Sequence, residues 1–300
     1  MKQQPQVSVI IIFLNAGKFL QEAIESVFSQ SYGCWELLLV DDGSTDSSTE
    51  VALQYLDQYP DKVRTLTHAG RRNLGMSASR NLGIRHAKGK YIALLDADDV
   101  WFAATLEEQV ATLEAQPEAA MVYGPLFWWY SWSGAPEDSQ RDYIEQLGVP
   151  ANTLIRQPRL LPLFLMDKAA VPSGLLIRRE IIEQVGGFEE TFRGEYEDQV
   201  FCAKLCLHAP VFASERCWYQ YRQHPDSSVA IGQKTGNTYQ ARLIFLTWLG
   251  HYLREQKVKD SAVWWAYRQQ LWLCRYPRFF HLARQGRYFA ERVKHRVGIR

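Results

Sequence analysis

Three carboxylates crowd into the run LLDADDVWF, residues 94–102. In an extended chain, positions i and i+2 face the same way, about 6.5 Å apart, so Asp96 and Asp98, on either side of Ala97, can converge on one bound object. Asp99 is expected to face elsewhere and to cap the helix that follows. Like charges this close repel unless something positive sits among them. A hard divalent cation, Mg2+ or Mn2+, would relieve the repulsion and keep positions open for substrate phosphates. The plainer reading is an acidic cluster at a helix start, with raised pKa values and no ligand, and the triplet alone does not choose between them.

A second acidic stretch, DDGSTD at 41–46, has carboxylates where a phosphate-binding loop would carry glycine and lysine. A carboxylate cannot cradle a phosphate, but it accepts hydrogen bonds from a ribose hydroxyl or a base N–H. An Asx turn and a capping box formed by Ser47 with Glu50 explain Ser47 and account for Asp46. They leave Asp42 without a role. A third acidic pair, Glu197-Asp198, opens the pattern EDQVFCAKLCLH, where a helix dipole alone would favour acids.

The surrounding elements say where these groups lie. Val7–Phe13 is a continuous Val/Ile run, suited to a strand buried on both faces. Residues 15–30 have apolar side chains at helical spacing, 35–40 (WELLLV) form a second strand, and a helix is expected over 47–58. Val63–Thr67 reads as a strand, Met76–His86 as a helix, 91–95 as a strand ending at the carboxylates, and 103–115 as a helix. Strands alternating with helices of this length imply right-handed crossovers and a doubly wound, mostly parallel sheet covered on both faces. Ligands in such sheets sit beyond the carboxyl ends of the strands, where both acidic loops fall. Beyond residue 120 the pattern is less regular. The stretch FWWYSWSG (127–134), with Trp128, Trp129 and Trp132, reads as a surface loop or edge strand. Residues 172–190 read as strand, short helix and Gly-Gly turn, and 214–221 as a further strand.

With 300 residues, 47% hydrophobic and 22% charged, the chain can bury a large core, and a formal net charge of +1 argues against a general nucleic-acid binder. The N-terminal apolar run is too short to span a membrane and has no small-residue cleavage site, so a cytoplasmic protein is expected. Five scattered cysteines without a CxxC pair read as free thiols in a reducing compartment. The tail differs in character: 275–300 carries eight Lys/Arg against one Glu and is rich in aromatics. Such a tail either packs on the domain or lies peripherally on the anionic inner face of a membrane.

Taken together, VSVIIIFLNAGKFLQEAIESVFSQSY, WELLLVDDGSTDSS and NLGMSASRNLGIRHAKGKYIALLDADDVW resemble, in that order, the family 2 glycosyltransferases, and the likeness extends to about residue 225. The resemblance implies a GT-A fold, a nucleotide-diphosphate sugar donor and a bound Mn2+ or Mg2+. It implies that Ile12, Leu14 and Asp42 line the base pocket, that Asp96 and Ala97 lie near the ribose, that Asp98 holds metal and diphosphate, and that Arg80 borders the nucleotide. GGFEE followed by EYEDQVFCAKL implies Asp198 as general base of an inverting transfer, with a glycan, lipid-linked or protein acceptor. YRQHPDSS (221–228) resembles a segment that closes over the diphosphate and brings His224 near the metal. The chain departs from the family at Ile12-Phe13-Leu14-Asn15, where Pro-Thr-Tyr-Asn is usual: no ring is available at Leu14 to stack on a base. A transferase domain over 1–235 and a helical, basic and aromatic extension over 236–300 are therefore expected. Two other readings stand beside this one, a nucleotidyltransferase, which would want a richer phosphate loop after the first strand, and an inactive transferase-like assembly partner at the membrane.

Overall fold

The computed structural model describes residues 4–235 and 238–276. In chain order the elements are β1 (Val7–Phe13), α1 (Leu20–Phe28), β2 (Trp35–Asp41), α2 (Ser48–Gln58), β3 (Val63–Thr67), α3 (Met76–His86), β4 (Tyr91–Asp96), β5 (Val100–Trp101), α4 (Thr105–Ala115), β6 (Met121–Tyr123), β7 (Leu126–Trp129) and β8 (Tyr143–Ile144). They continue with β9 (Thr153–Ile155), α5 (Leu160–Leu165), β10 (Leu176–Arg178), α6 (Arg179–Gln184), α7 (Glu197–His208), β11 (Val211–Ala213), β12 (Tyr219–Arg222), α8 (Ser228–Thr235), α9 (Thr238–Glu255) and α10 (Ser261–Arg275). Eight strands form one sheet in the order β3-β2-β1-β4-β10-β6-β11-β9, and a small second sheet runs β5-β12-β7-β8. The first four strands are mutually parallel, while β10 and β9 run against their neighbours.

Period-two alternation in the apolar strands divides the core into two layers. Val7, Val9, Ile11, Leu37 and Leu39 pack with α1, α2 and α4 on one face, and Ile10, Leu38, Val40 and Ile92 pack with α5, α6 and α7 on the other. Phe245, Leu249, Leu253, Val263 and Ala266 from α9 and α10 belong to that second layer, so these helices share the sheet's own core. No described helix is long and apolar enough to cross a membrane. Beyond Tyr276 the basic tail lies outside the described residues. The five cysteines are free.

Local differences from the sequence reading have local causes. The helix expected from residue 15 begins at Leu20, because 14–18 are laced to the loop after β2. The Asn15 N–H donates to Ser44 Oγ, its Oδ1 accepts from the Thr45 N–H, and the Gly17 N–H donates to Asp46. The expected capping box is not formed: Ser47 precedes α2 without a side-chain cap bond, and Asp46 Oδ1 instead accepts from the Ser48 N–H and hydroxyl. A carboxylate with two acceptor oxygens serves the helix and the neighbouring loop together, which a serine hydroxyl cannot. Of the strand expected over 214–221 only residues 219–221 are extended, within β12 of the second sheet, because 214–218 form the connection that leads there from β11 of the first sheet.

Lys204 is buried and donates to the Gly187 carbonyl and to Glu189, each at 2.8 Å, pinning the Gly-Gly turn to α7. Replacing Lys204 with Met is expected to lower unfolding stability by about 2 kcal/mol, since the orphaned carbonyl and carboxylate lose charge-assisted hydrogen bonds. A chemical-denaturation midpoint with unchanged slope would measure the loss.

Candidate active site

Strand register brings the acidic loops to one edge. Ile12 lies opposite Asp96 and Phe13 opposite Asp41, so β2, β1 and β4 all end at the same carboxyl face. Asp41 turns inward on its own loop, accepting from the Gly43 and Ser44 N–H groups and from the Thr49 hydroxyl. Gly43 holds φ at 92°, and a β-carbon there would sit 2.7 Å from the Arg71 carbonyl oxygen, so only glycine fits this turn. Asp42 is buried and accepts from the Leu74 and Gly75 N–H groups, ahead of Met76, where α3 starts. It thus fixes the start of α3, the helix that carries Arg80 and Asn81.

Those two residues tie the site together. Arg80 is buried and donates one guanidinium nitrogen to Asp96 at 2.8 Å and the other to Glu197. Asn81 donates to the Phe188 carbonyl and accepts from the Phe188 N–H, clamping the turn after the Gly-Gly pair. Burial raises the pKa of Glu197 to about 7 despite the attraction of Arg80, with Asp198 pushing the same way. Glu197 Oε2 is buried with no hydrogen-bond partner.

Asp198, the next residue, is exposed in the first turn of α7 and accepts from the Gln199 N–H at 2.7 Å. The protein packed around it withholds water and raises its pKa, although part of its surface stays open to solvent; the Gln199 hydrogen bond and Arg80 pull the other way and Asp96 adds to the rise. Tyr196, immediately before this pair, has φ 73°, a left-handed conformation that costs a residue with a side chain about 1–3 kcal/mol. Its ring is held by stacking on Phe245 of α9, with centroids 5.4 Å apart.

The positive partners that the acidic triplet requires come partly from the protein. Asp96 meets Arg80, and Asp98 Oδ2 lies 3.0 Å from His224 Nε2. Asp99 does not cap the following helix. It is buried, accepting from the Tyr219 hydroxyl at 2.6 Å and the Arg222 N–H at 2.7 Å, because β12 lies directly against it. Burial first, then the charges of Asp98 and Asp96, push its pKa well up. Arg222 is buried, donates to the Asp98 carbonyl and to Glu22 of α1, and lies against the rings of Phe19, Trp129 and Trp132. Two of the three tryptophans thus pack on a structural cation, and Trp128 stacks on Tyr143. From the sequence, Glu197 stands out only as the other half of an acidic pair and Asn81 only as the neighbour of Arg80, while Glu22 and Arg222 are not marked as site-forming. The one sequence hint for Arg222 is its place inside the YRQHPDSS segment. Ile12 is half-buried at the strand end and Leu14 is 44% exposed beside it, while Phe13 is buried on the opposite layer.

A divalent ion has a plausible seat here on chemical grounds. Asp98 and His224 supply one hard oxygen and one imidazole nitrogen at adjacent positions, and His224 Nδ1 is buried with no hydrogen-bond partner. No cluster of three metal-ligating side chains occurs among the described residues. The donor set fits an ion that takes few protein ligands and fills its remaining positions from a diphosphate and water, as Mg2+ and Mn2+ do.

Residues 8–186 match the sequence model described as Glycosyl transferase family 2. The chain is 35% identical over 146 residues to the uncharacterized glycosyltransferase YibD of Escherichia coli (strain K12), covering 47% of this chain and 41% of that protein. It is 36% identical over 107 residues to the Escherichia coli UDP-Glc:alpha-D-GlcNAc-diphosphoundecaprenol beta-1,3-glucosyltransferase WfgD, covering 36% and 40%. The matched stretch thus spans about two fifths of each relative's length. Among solved structures, the mannosyltransferase PcManGT from Pyrobaculum calidifontis, in complex with GDP-Man and Mn2+, superposes with a TM-score of 0.53 at 18% identity, over 91% of this chain and 74% of that one. At that identity the likeness concerns the fold, and the α/β architecture with a mostly parallel sheet is the GT-A type expected from the sequence.

Proposed function

The chain belongs to glycosyl transferase family 2, and from that premise we propose that it is an inverting, divalent-metal-dependent transferase that moves a sugar from a nucleotide-diphosphate donor to an acceptor hydroxyl. Residues 1–235 are assigned the transfer chemistry, and within the extension assigned to 236–300 the helices α9 and α10 brace it. The supporting observation is the bridge made by Arg80, which joins the strand-end carboxylate Asp96 to Glu197, the neighbour of Asp198. In this reading one guanidinium links the donor-side acid to the neighbour of the acceptor-side acid.

In this reading Asp42, Ile12 and Leu14 receive the nucleoside. Asp42 has lone pairs remaining beyond its two backbone donors, and Leu14 offers an apolar surface in place of a ring. Asp96, oriented by Arg80, accepts from ribose hydroxyls, with Ala97 giving the small floor between the two acids. Asp98 with His224 would hold Mn2+ or Mg2+, which when bound offsets the negative charge developing on the departing diphosphate. Asp198 takes the proton of the acceptor hydroxyl as that oxygen attacks the anomeric carbon, and the nucleoside diphosphate leaves from the opposite face with inversion. Placement in cell-surface glycan or polysaccharide synthesis is supported by the kinship with WfgD, whose name gives a diphosphoundecaprenol-linked acceptor. Glycan, lipid-linked and protein acceptors all present the hydroxyl this chemistry needs.

The test is calorimetric titration of the full chain with a panel of nucleotide sugars, with and without Mn2+. Binding of one donor that strengthens with the ion, and release of nucleoside diphosphate on turnover, is the expected result. Pyrophosphate release from a nucleoside triphosphate would assign nucleotidyl transfer instead. Asp98→Asn is expected to remove most of the ion's effect on donor affinity while leaving metal-free nucleotide binding near that of the parent.

A further inference from the structure

We propose that the outward face of α10 is a docking surface for an anionic phospholipid bilayer. Its inward face, Val263, Ala266, Tyr267, Gln270, Leu273 and Cys274, is buried against the domain. The opposite face carries Trp265, Trp272 and Tyr276, which are 57%, 47% and 51% exposed. At 3.6 residues per turn these three rings fall within about 40° of arc, with Arg268 and Arg275 in a parallel row roughly 60–80° to one side. Both arginines are exposed. One helix thus presents a line of interfacial aromatics beside a line of permanent cations.

Charge decides which occupant suits this face. From residue 261 to 290 the sequence contains five arginines and no Asp or Glu. A second copy docking face to face would bring Arg268 and Arg275 of both chains together with no acid on the helix to pair them. An anionic bilayer supplies the missing negative charge, and exposed Trp and Tyr rings favour the headgroup boundary, where the ring is apolar and its N–H or O–H stays hydrated.

The position of the helix adds a consequence. Gln270 accepts from Arg242 of α9 at 2.7 Å, and Arg242 reaches the hydroxyl of Tyr196, the residue before the Glu197-Asp198 pair. The C-terminal half of α10 therefore lies two side chains from the start of α7. A bilayer on this face would sit beside that end of the molecule. Membrane contact itself does not rest on the transferase reading, and its test needs no turnover.

The experiment is flotation of the full chain with vesicles of phosphatidylcholine alone and of phosphatidylcholine mixed with phosphatidylglycerol. Flotation with the anionic vesicles only, weakened by salt, is expected. Arg268→Glu with Arg275→Glu should weaken partitioning by at least about thirtyfold, and the milder Arg268→Gln with Arg275→Gln serves if the first pair does not fold. Trp265→Ser should reduce both the partitioning and the blue shift of tryptophan emission on binding. Equal binding to neutral vesicles, no binding, or parental binding by the arginine variants would overturn the proposal. Concentration-dependent dimerisation abolished by Trp265→Ser would overturn it too, assigning the face to a second copy.

Discussion

Asp198→Asn is expected to lower the turnover number by about 10²–10⁴-fold while leaving donor binding unchanged, the range associated with losing a positioned general base. Asparagine keeps the shape of the side chain and still accepts a hydrogen bond from the Gln199 N–H, so α7 should start as before. What disappears is the site that receives the acceptor's proton. The same residue sets the acid limb of the pH profile. On the proposed role only the carboxylate form accepts the proton, so activity is expected above the Asp198 pKa and lost as pH falls through it. Because dense surrounding protein raises that pKa, the loss begins at a higher pH than for a fully hydrated aspartate. In the Asn variant the residual rate should lack this limb. Single-turnover rates across pH, beside calorimetric donor affinity, separate the two effects, and a variant that keeps turning over at the parental rate removes Asp198 from the mechanism.

Arg80→Met should be the most destabilising single change near the site, costing about 3–5 kcal/mol at about pH 8, because removing one partner from a buried ion pair strands the other. Arg80 compensates two carboxylates, and Glu197 is buried with it. Glu197 already titrates at about 7 with the guanidinium present. Without it the pKa rises further, so the native state keeps a proton that the unfolded chain releases at ordinary glutamate pKa. Stability of the variant must then fall as pH rises between those two values, and the deficit at about pH 5 should be clearly smaller than at about pH 8. Arg80→Lys should recover only part of the loss, since one ammonium does not reproduce two separate N–H donors aimed at Asp96 and Glu197. Denaturation midpoints at the two pH values test this, and a pH-independent deficit would show that Glu197 is not the stranded group.

How much of this was legible in the sequence depended on whether the signal was local. The β1, β2, β3 and β4 strands announce themselves as apolar runs, and the acids at their ends follow from sequence position alone. Asp42 and Asp96 could be placed at one edge because parallel strands must end together. The roles of Arg80 and Asn81 were partly visible, since both sit on a helix that returns to that edge, but Glu197 and Phe188 lie more than a hundred residues away and no spacing rule reaches them. Asp99 was misjudged for the same reason: its neighbours Tyr219 and Arg222 arrive from a strand in another sheet, and a helix cap is what local sequence offers when distant partners are invisible. The capping box at Ser47 failed because Asp46 is a stronger acceptor that also has to hold the first loop.

The stacking of Tyr196 on Phe245 has an implication for inheritance. The strained turn in front of Glu197-Asp198 is steadied by a ring from α9, some fifty residues further along the chain. The proposed site around Asp198 therefore cannot be transplanted or recombined without α9 as a self-sufficient unit. Lineages that exchange their last helices must supply another flat, apolar platform at that spot, or accept a looser carboxylate.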